Sequence, residues 1–237
     1  MADSSTQDVG IETLRRMKKL TRYGRWVFDR ILPYVGERVL EAGSGLGNNS
    51  VFFLDRELLI LTDVRQDFLD HLRQEYRDRG NVDVERFDLE GSGSHLRGRN
   101  IDTIVALNVL EHIRDDRNAL AEMAAMLAPG GRVILQLPAH PLLYGSLDRN
   151  LDHYRRYTIS GIREKFTAAG LTGERFDYMN LFGAAGWLVS SRILRRTILP
   201  EGQLGLFNTL TPLFIAVENV IPMPAGLSII AVGRKDA

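Results

Sequence analysis

Cysteine is absent from all 237 residues, which rules out disulfides, thiolate metal sites and a cysteine nucleophile and agrees with a reducing compartment. Net charge is absent too. The 30 Lys and Arg offset the 30 Asp and Glu, so no overall field draws the chain toward nucleic acid, and any basic patch is local. No apolar run reaches the roughly 18 residues that a membrane span needs. The opening MADSSTQDVGIETLRR lacks the apolar centre of a secretory leader, and a cytoplasmic protein is the expectation. No repeat, low-complexity tract or long linker divides the chain. GSGSHLRG at 91–98 reads as a loop, and a single domain over 1–237 follows.

Apolar residues make up 44% of the chain, enough for a sizeable core. Arg38–Ala42, Leu58–Asp63, Val82–Phe87, Thr103–Leu107 and Arg132–Leu137 read as strands, each closing near a glycine, proline or polar residue. Gln66–Arg79 and Asn118–Leu127 read as helices between them. This alternation predicts an α/β fold with a doubly wound, mostly parallel seven-stranded sheet, whose last strands are Leu171–Tyr178 and Ser228–Gly233. Residues 1–32 would form an N-terminal helical cover, with one or two helices over 10–32. Residues 33–180 would form the ligand-binding core, 181–225 a helical insertion or lid, and 226–237 the last strand. Ligand is expected at the carboxyl ends of the strands.

One stretch carries chemistry directly: RVLEAGSGLGNNS, residues 38–50, places Gly43, Gly45 and Gly47 behind a buried strand. Glycines there let a ligand approach the backbone, and free N–H groups attract anionic atoms. Asp63 ends the second strand, where a carboxylate can accept from both hydroxyls of a ribose. The dinucleotide fingerprint needs a glycine where this chain has Asn48, so the pattern is G-x-G-x-G. Glu41, inside the strand end, favours a cationic amino group over a pyrophosphate. Both features point away from NAD.

VLEAGSGLG, Asp63, RFDLE, VALNVLEHI and LAPGGRVILQLPAH, in that order, resemble the class I S-adenosylmethionine-dependent methyltransferases, over roughly residues 20–180. The resemblance implies a Rossmann-like fold and S-adenosylmethionine as cofactor. It also implies that Gly43, Gly45 and Gly47 make room for the methionine part, with Glu41 near its ammonium and Asp63 on the ribose. Asp88 would accept from the adenine amino group with the Leu89 backbone facing the ring, or be a loop or capping acid. Asn108 would meet the methionine end. His112 is a cofactor contact or a cap of the next helix. Tyr23 and Trp26 would close over the cofactor, or Trp26 with Val27 and Ile31 forms a buried helix face.

Methyl transfer from a sulfonium needs alignment, exclusion of water and, for some acceptors, removal of a proton; no metal is required. PAHPLLYGSLDRNLDHYRRYT, 138–158, follows the fifth strand where an acceptor enters, and resembles a subgroup acting on small molecules or lipid-linked glycans. His153 and then His140 are the candidate bases, each with the alternative of a hydrogen-bonded loop histidine. Tyr144, Tyr154 and Tyr157 line a pocket or pack the loop. Arg155 and Arg156 clamp an anion or pair with surface acids such as Asp148 or Asp152, and one of the two is expected to be structural. The tetrapeptide of amide and base methylators is missing, Asn108-Val-Leu-Glu111 standing there, and with zero net charge this argues against a nucleic-acid partner.

The stretch 181–221 mixes Leu181, Phe182, Trp187, Leu188, Ile193, Leu194, Leu206, Phe207, Leu213, Phe214 and Ile215 with Arg192, Arg195 and Arg196. It suits an apolar lid, a homodimer interface or a membrane-surface helix, the basic run Arg15 to Arg25 adding to the last; equally it completes the core with a solvated charged face. The expected activity is methylation of oxygen on a small or lipid-like acceptor. A cofactor-holding protein without turnover and an NAD-dependent oxidoreductase are the alternatives.

Overall fold

The computed structural model describes residues 4–220 and 224–236. Seven strands form one sheet: β1 (Arg38–Ala42), β2 (Leu58–Asp63), β3 (Val82–Arg86), β4 (Ile101–Leu107), β5 (Leu127–Pro138), β6 (Leu171–Met179) and β7 (Ser228–Lys235). Their order across the sheet is β3-β2-β1-β4-β5-β7-β6. The first five run parallel, and β7 lies antiparallel between β5 and β6. The order reverses at β1 and β4, and the carboxyl ends of strands at such a switch point are where open α/β sheets bind ligands.

Helices cover both faces: α1 (Ser4–Lys18), α2 (Thr21–Ile31), α3 (Gln66–Glu75), α4 (Asp116–Met126), α5 (Ser146–Asn150), α6 (Ile159–Ala168), α7 (Leu181–Trp187) and α8 (Glu201–Val220). Alternation along the strands divides the core. Leu40, Ile60 and Leu135 point toward Leu120 and Met123 of α4 and Phe166 of α6. Val39, Leu59, Leu61 and Ile230 point toward Trp26, Val27 and Ile31 of α2, with Phe207 and Phe214 of α8 closing that layer.

Element boundaries follow local chemistry. The α4 helix starts two residues before the Asn118 read from the sequence, because Asp115 caps it, accepting from the Asn118 N–H at 3.0 Å. It stops at Met126 because Leu127 is drawn into β5, paired with Ile101; that pairing extends β5 back from the expected Arg132. The α3 helix ends at Glu75 rather than Arg79, since Tyr76 leaves helical geometry and a turn closes from the Arg79 N–H to the Tyr76 carbonyl. The helical insertion comprises α7, a wide turn over Leu188–Ile193 and α8. Residue 221, with which the expected stretch ended, lies outside the described residues. None of the described helices is long and apolar enough to cross a membrane.

Candidate active site

The turn leaving β1 holds Gly43, Gly45 and Gly47 at φ +68°, +54° and +73°, left-handed values that only glycine adopts without strain. Gly43 is constrained twice, because a Cβ there would meet Val109 Cγ2 at 2.7 Å. Asp63 faces this turn: its Oδ2 accepts from the Gly45 N–H at 3.0 Å and its Oδ1 from the Arg65 N–H at 3.0 Å. Burial pushes its pKa up, and the two N–H groups draw it back. Glu41 is also buried, takes a hydrogen bond from the Ser50 hydroxyl, and is pushed up to about 7 by loss of solvent. The backbone of the glycine turn, one carboxylate able to ionise beside an ammonium and a second facing the turn are groups that would suit S-adenosylmethionine. The α1 helix covers the turn, with Asn48 Nδ2 donating to the Leu14 carbonyl at 2.9 Å and Leu14 packed toward Gly45.

The other residues expected at the cofactor take varied positions. Asp88 is exposed at the end of β3 and accepts from the Glu90 N–H at 2.9 Å, a loop acid's bond that leaves its outer oxygen to solvent. Leu89 is buried beside it. Asn108, at φ +55° after β4, donates its N–H to the Gln136 carbonyl at 2.9 Å. Tyr23 is packed under α8, its hydroxyl accepting from Gln136 Nε2 at 2.8 Å and its ring edge-on to Trp26 and Phe207. Trp26, Val27 and Ile31 form the buried face of α2.

Residues 138–158 fold around Asp148. This buried carboxylate accepts from the Gly145 N–H at 2.9 Å, His153 Nδ1 at 3.1 Å, Arg156 Nε at 2.7 Å and, from the insertion, Trp187 Nε1 at 3.3 Å. Burial alone would raise its pKa; the His153 bond and the Arg156 charge overcome that and hold it below the usual carboxylate range. Both arginines are structural. Arg156 pairs with Asp148, as its sequence neighbourhood suggested, whereas Arg155 turns to Asp116 at 2.8 Å, an acid 39 positions away in number (155 to 116) and invisible to spacing. Tyr157 is core, its hydroxyl donating to the Leu110 carbonyl or Asp116; Tyr154 is exposed beneath Arg114 and Arg155. Tyr144 donates to the His153 carbonyl at 2.7 Å.

The histidines divide. His153 has a nearly closed side chain whose Nδ1 meets Asp148 and whose Nε2 faces Glu111 at 4.0 Å. The His112 ring meets the His153 ring edge-on at 4.7 Å; although the residue has an exposed side, packing of the ring and the neighbouring His153 push its pKa down. His140 is half-buried at the end of β5, stacked on Tyr178 at 4.6 Å, and burial and then the Arg156 charge hold its pKa below the ordinary value. Sequence reading passed over Glu111 and treated Asp148 as a surface acid. Glu111 is wholly buried, both carboxylate oxygens lack a hydrogen-bond partner among the described residues, and burial pushes it up to about 7. The one signal was an acid set inside the apolar run NVLEHI.

Comparison with known proteins agrees with this architecture. The Methyltransferase domain family matches residues 40–133. The demethylmenaquinone methyltransferase of Renibacterium salmoninarum is 28% identical over 126 residues, 53% of this chain and 51% of that protein. Among solved structures, the CurJ carbon methyltransferase superposes with a TM-score of 0.58 at 16% identity, covering 89% of this chain and 51% of that one. An S-adenosylmethionine dependent methyltransferase from Mesorhizobium loti superposes with a TM-score of 0.59 at 14% identity, covering 90% and 98%. The match thus spans about half the length of the curated relative. The family match runs from β1 into β5, so the segment that builds the glycine turn and the strand ends around it is similar to a methyltransferase domain.

Proposed function

We propose that this chain transfers the methyl group of S-adenosylmethionine to an acceptor, and that the receiving atom is an oxygen on a small or lipid-like molecule. The observation that carries the reading is the Asp63 carboxylate set 3.0 Å from the Gly45 N–H at the open ends of β1 and β2, with Glu41 buried beside it. When bound, the cofactor supplies an electrophilic methyl on a sulfonium. Asp63 would hold the ribose hydroxyls, Glu41 the ammonium, Asp88 and the Leu89 backbone the adenine, and Asn108 the methionine end. An ammonium next to Glu41 favours its charged form, so binding draws the carboxyl down from about 7 and releases a proton near neutral pH.

Catalysis then rests on alignment and dryness. His140, rather than His153, would take a proton from an acceptor hydroxyl, at Nε2 and in place of the long 3.4 Å bond that this nitrogen accepts from the Gly226 N–H. It is held neutral, whereas both nitrogens of His153 face carboxylates. Exposed apolar side chains on the insertion, Phe182, Ile193, Leu194, Leu206 and Leu213, support an apolar acceptor. Likeness in fold to a carbon methyltransferase, CurJ, makes a carbon acceptor the second reading.

Calorimetric titration with S-adenosylhomocysteine, beside NADH, tests the cofactor. Saturable binding of the first alone, at least tenfold weaker in Asp63→Ala, is expected. Binding of neither overturns the reading. Transfer of labelled methyl to phenols, carboxylates, lipid-linked sugars and quinones then separates oxygen from carbon, and binding without any transfer would leave a cofactor-holding protein.

A further inference from the structure

The glycine turn leaves unused the cluster where the turn after β4 meets the loop after α5. Glu111 is completely shut off from solvent, and neither of its carboxylate oxygens has a hydrogen-bond partner among the described residues. Its backbone carbonyl is satisfied by the Tyr154 N–H at 2.8 Å, so the chain has anchored this residue while leaving its charge-bearing end bare. A buried carboxylate in that condition is costly unless a proton or a cation joins it.

Two imidazoles converge on it. Each of Glu111, His112 and His153 offers one donor atom, and the three atoms lie within 4.8 Å of one another. His153 is oriented by its far side: Nδ1 is bonded to Asp148 at 3.1 Å, which leaves Nε2 directed at Glu111 Oε1, 4.0 Å away. A carboxylate that fixes one ring nitrogen so that the other presents its lone pair is the support that metal-bound histidines ordinarily have. The positive charge of Arg156 does not compete, because its guanidinium is committed to Asp148 at 2.7 Å and to the Ala139 carbonyl at 3.0 Å.

We propose that Glu111, His112 and His153 form a binding site for one divalent cation of the zinc class. Two imidazoles and one carboxylate are the donor set of three-ligand zinc sites, in which the fourth position stays open to water or substrate, and they are a poor set for magnesium or calcium, which take oxygen. Donor atoms around tetrahedral zinc stand about 3.3 Å apart, given bond lengths of about 2.0–2.2 Å. Closing the present spacing to that value needs the Glu111 carboxylate to move toward His153 Nε2, now 4.0 Å from it, and the His112 ring to turn toward both. A bound cation would replace the missing partner of Glu111. This inference is independent of methyl transfer, since it concerns binding alone.

The test uses the full, untagged chain freed of metal by chelation, titrated with zinc chloride by calorimetry near pH 7.5, with magnesium chloride as the contrast. One equivalent of zinc is expected to bind with micromolar or tighter affinity while magnesium gives no saturable heat. Glu111→Gln and His112→Ala should each weaken zinc binding at least tenfold, and cobalt(II) added in place of zinc should give the intense visible bands of a four-coordinate ion, lost in both variants. Should Glu111→Gln fail to fold, His112→Ala decides alone, its side chain being on the exposed side of the cluster. No stoichiometric zinc binding, or binding that both substitutions leave unchanged because it belongs to the other histidines, would overturn the site and leave Glu111 a protonated structural acid.

Discussion

The Nε of Arg156 stands 2.7 Å from Oδ1 of Asp148, with both side chains closed to solvent, and this pair ties the segment after β5 to the sheet and to the insertion. Removing one partner strands the other. Arg156→Met is therefore expected to cost about 3–5 kcal/mol. Arg155→Ala removes a part-exposed arginine from a buried acid that keeps Lys165 at 2.6 Å and the Tyr157 hydroxyl at 3.1 Å, and should cost less, about 1–2 kcal/mol. Urea unfolding of the two variants checks the contrast, and equal losses would show that the Asp148 hub does not hold the loop.

Glu41 makes the cofactor-free protein less stable as pH rises. Its folded pKa of about 7 exceeds the ordinary value of 4.5, so the folded state binds the extra proton between those values. The contribution of this group is full below about 4.5, and is lost as pH climbs through about 7. A Glu41→Gln variant should lose that slope and show a melting temperature less sensitive to pH across the same window. Parallel slopes in both proteins would mean that the carboxyl is solvated.

Gly43→Ala meets two obstacles, a left-handed φ of +68° and Val109 Cγ2 at 2.7 Å from the new Cβ. About 1–3 kcal/mol is the expected loss from backbone strain, with the steric clash added. Pairing it with Val109→Ala should recover only the steric share. Full recovery in the double variant, measured by thermal unfolding, would show that the dihedral carries no cost.

His140→Gln should lower kcat for a hydroxyl acceptor by about 100-fold or more and abolish the acidic limb of its pH profile, with S-adenosylhomocysteine binding unchanged. A His153→Gln variant should instead lower the melting temperature, because it removes the Nδ1 bond to buried Asp148. If His153→Gln alone removed the acidic limb while remaining folded, the base would be His153.

Local pattern was enough to place β1 and β2 to the residue, to predict the doubly wound sheet, and to bring Asp63 against the turn of Gly43, Gly45 and Gly47, because all of these follow from near-neighbour rules: period-two burial, left-handed turns, and an acid at the next strand's end. Partner choice across the fold was not readable. Nothing in the sequence says that Arg155 reaches Asp116, that both nitrogens of His153 face carboxylates, or that Glu111 lies buried beside two imidazoles. Those relations join the turn after β4 to a loop far along the chain, and they are set by how β5 positions one against the other. Strand pairing at that separation depends on the whole sheet closing, which only the tertiary structure decides.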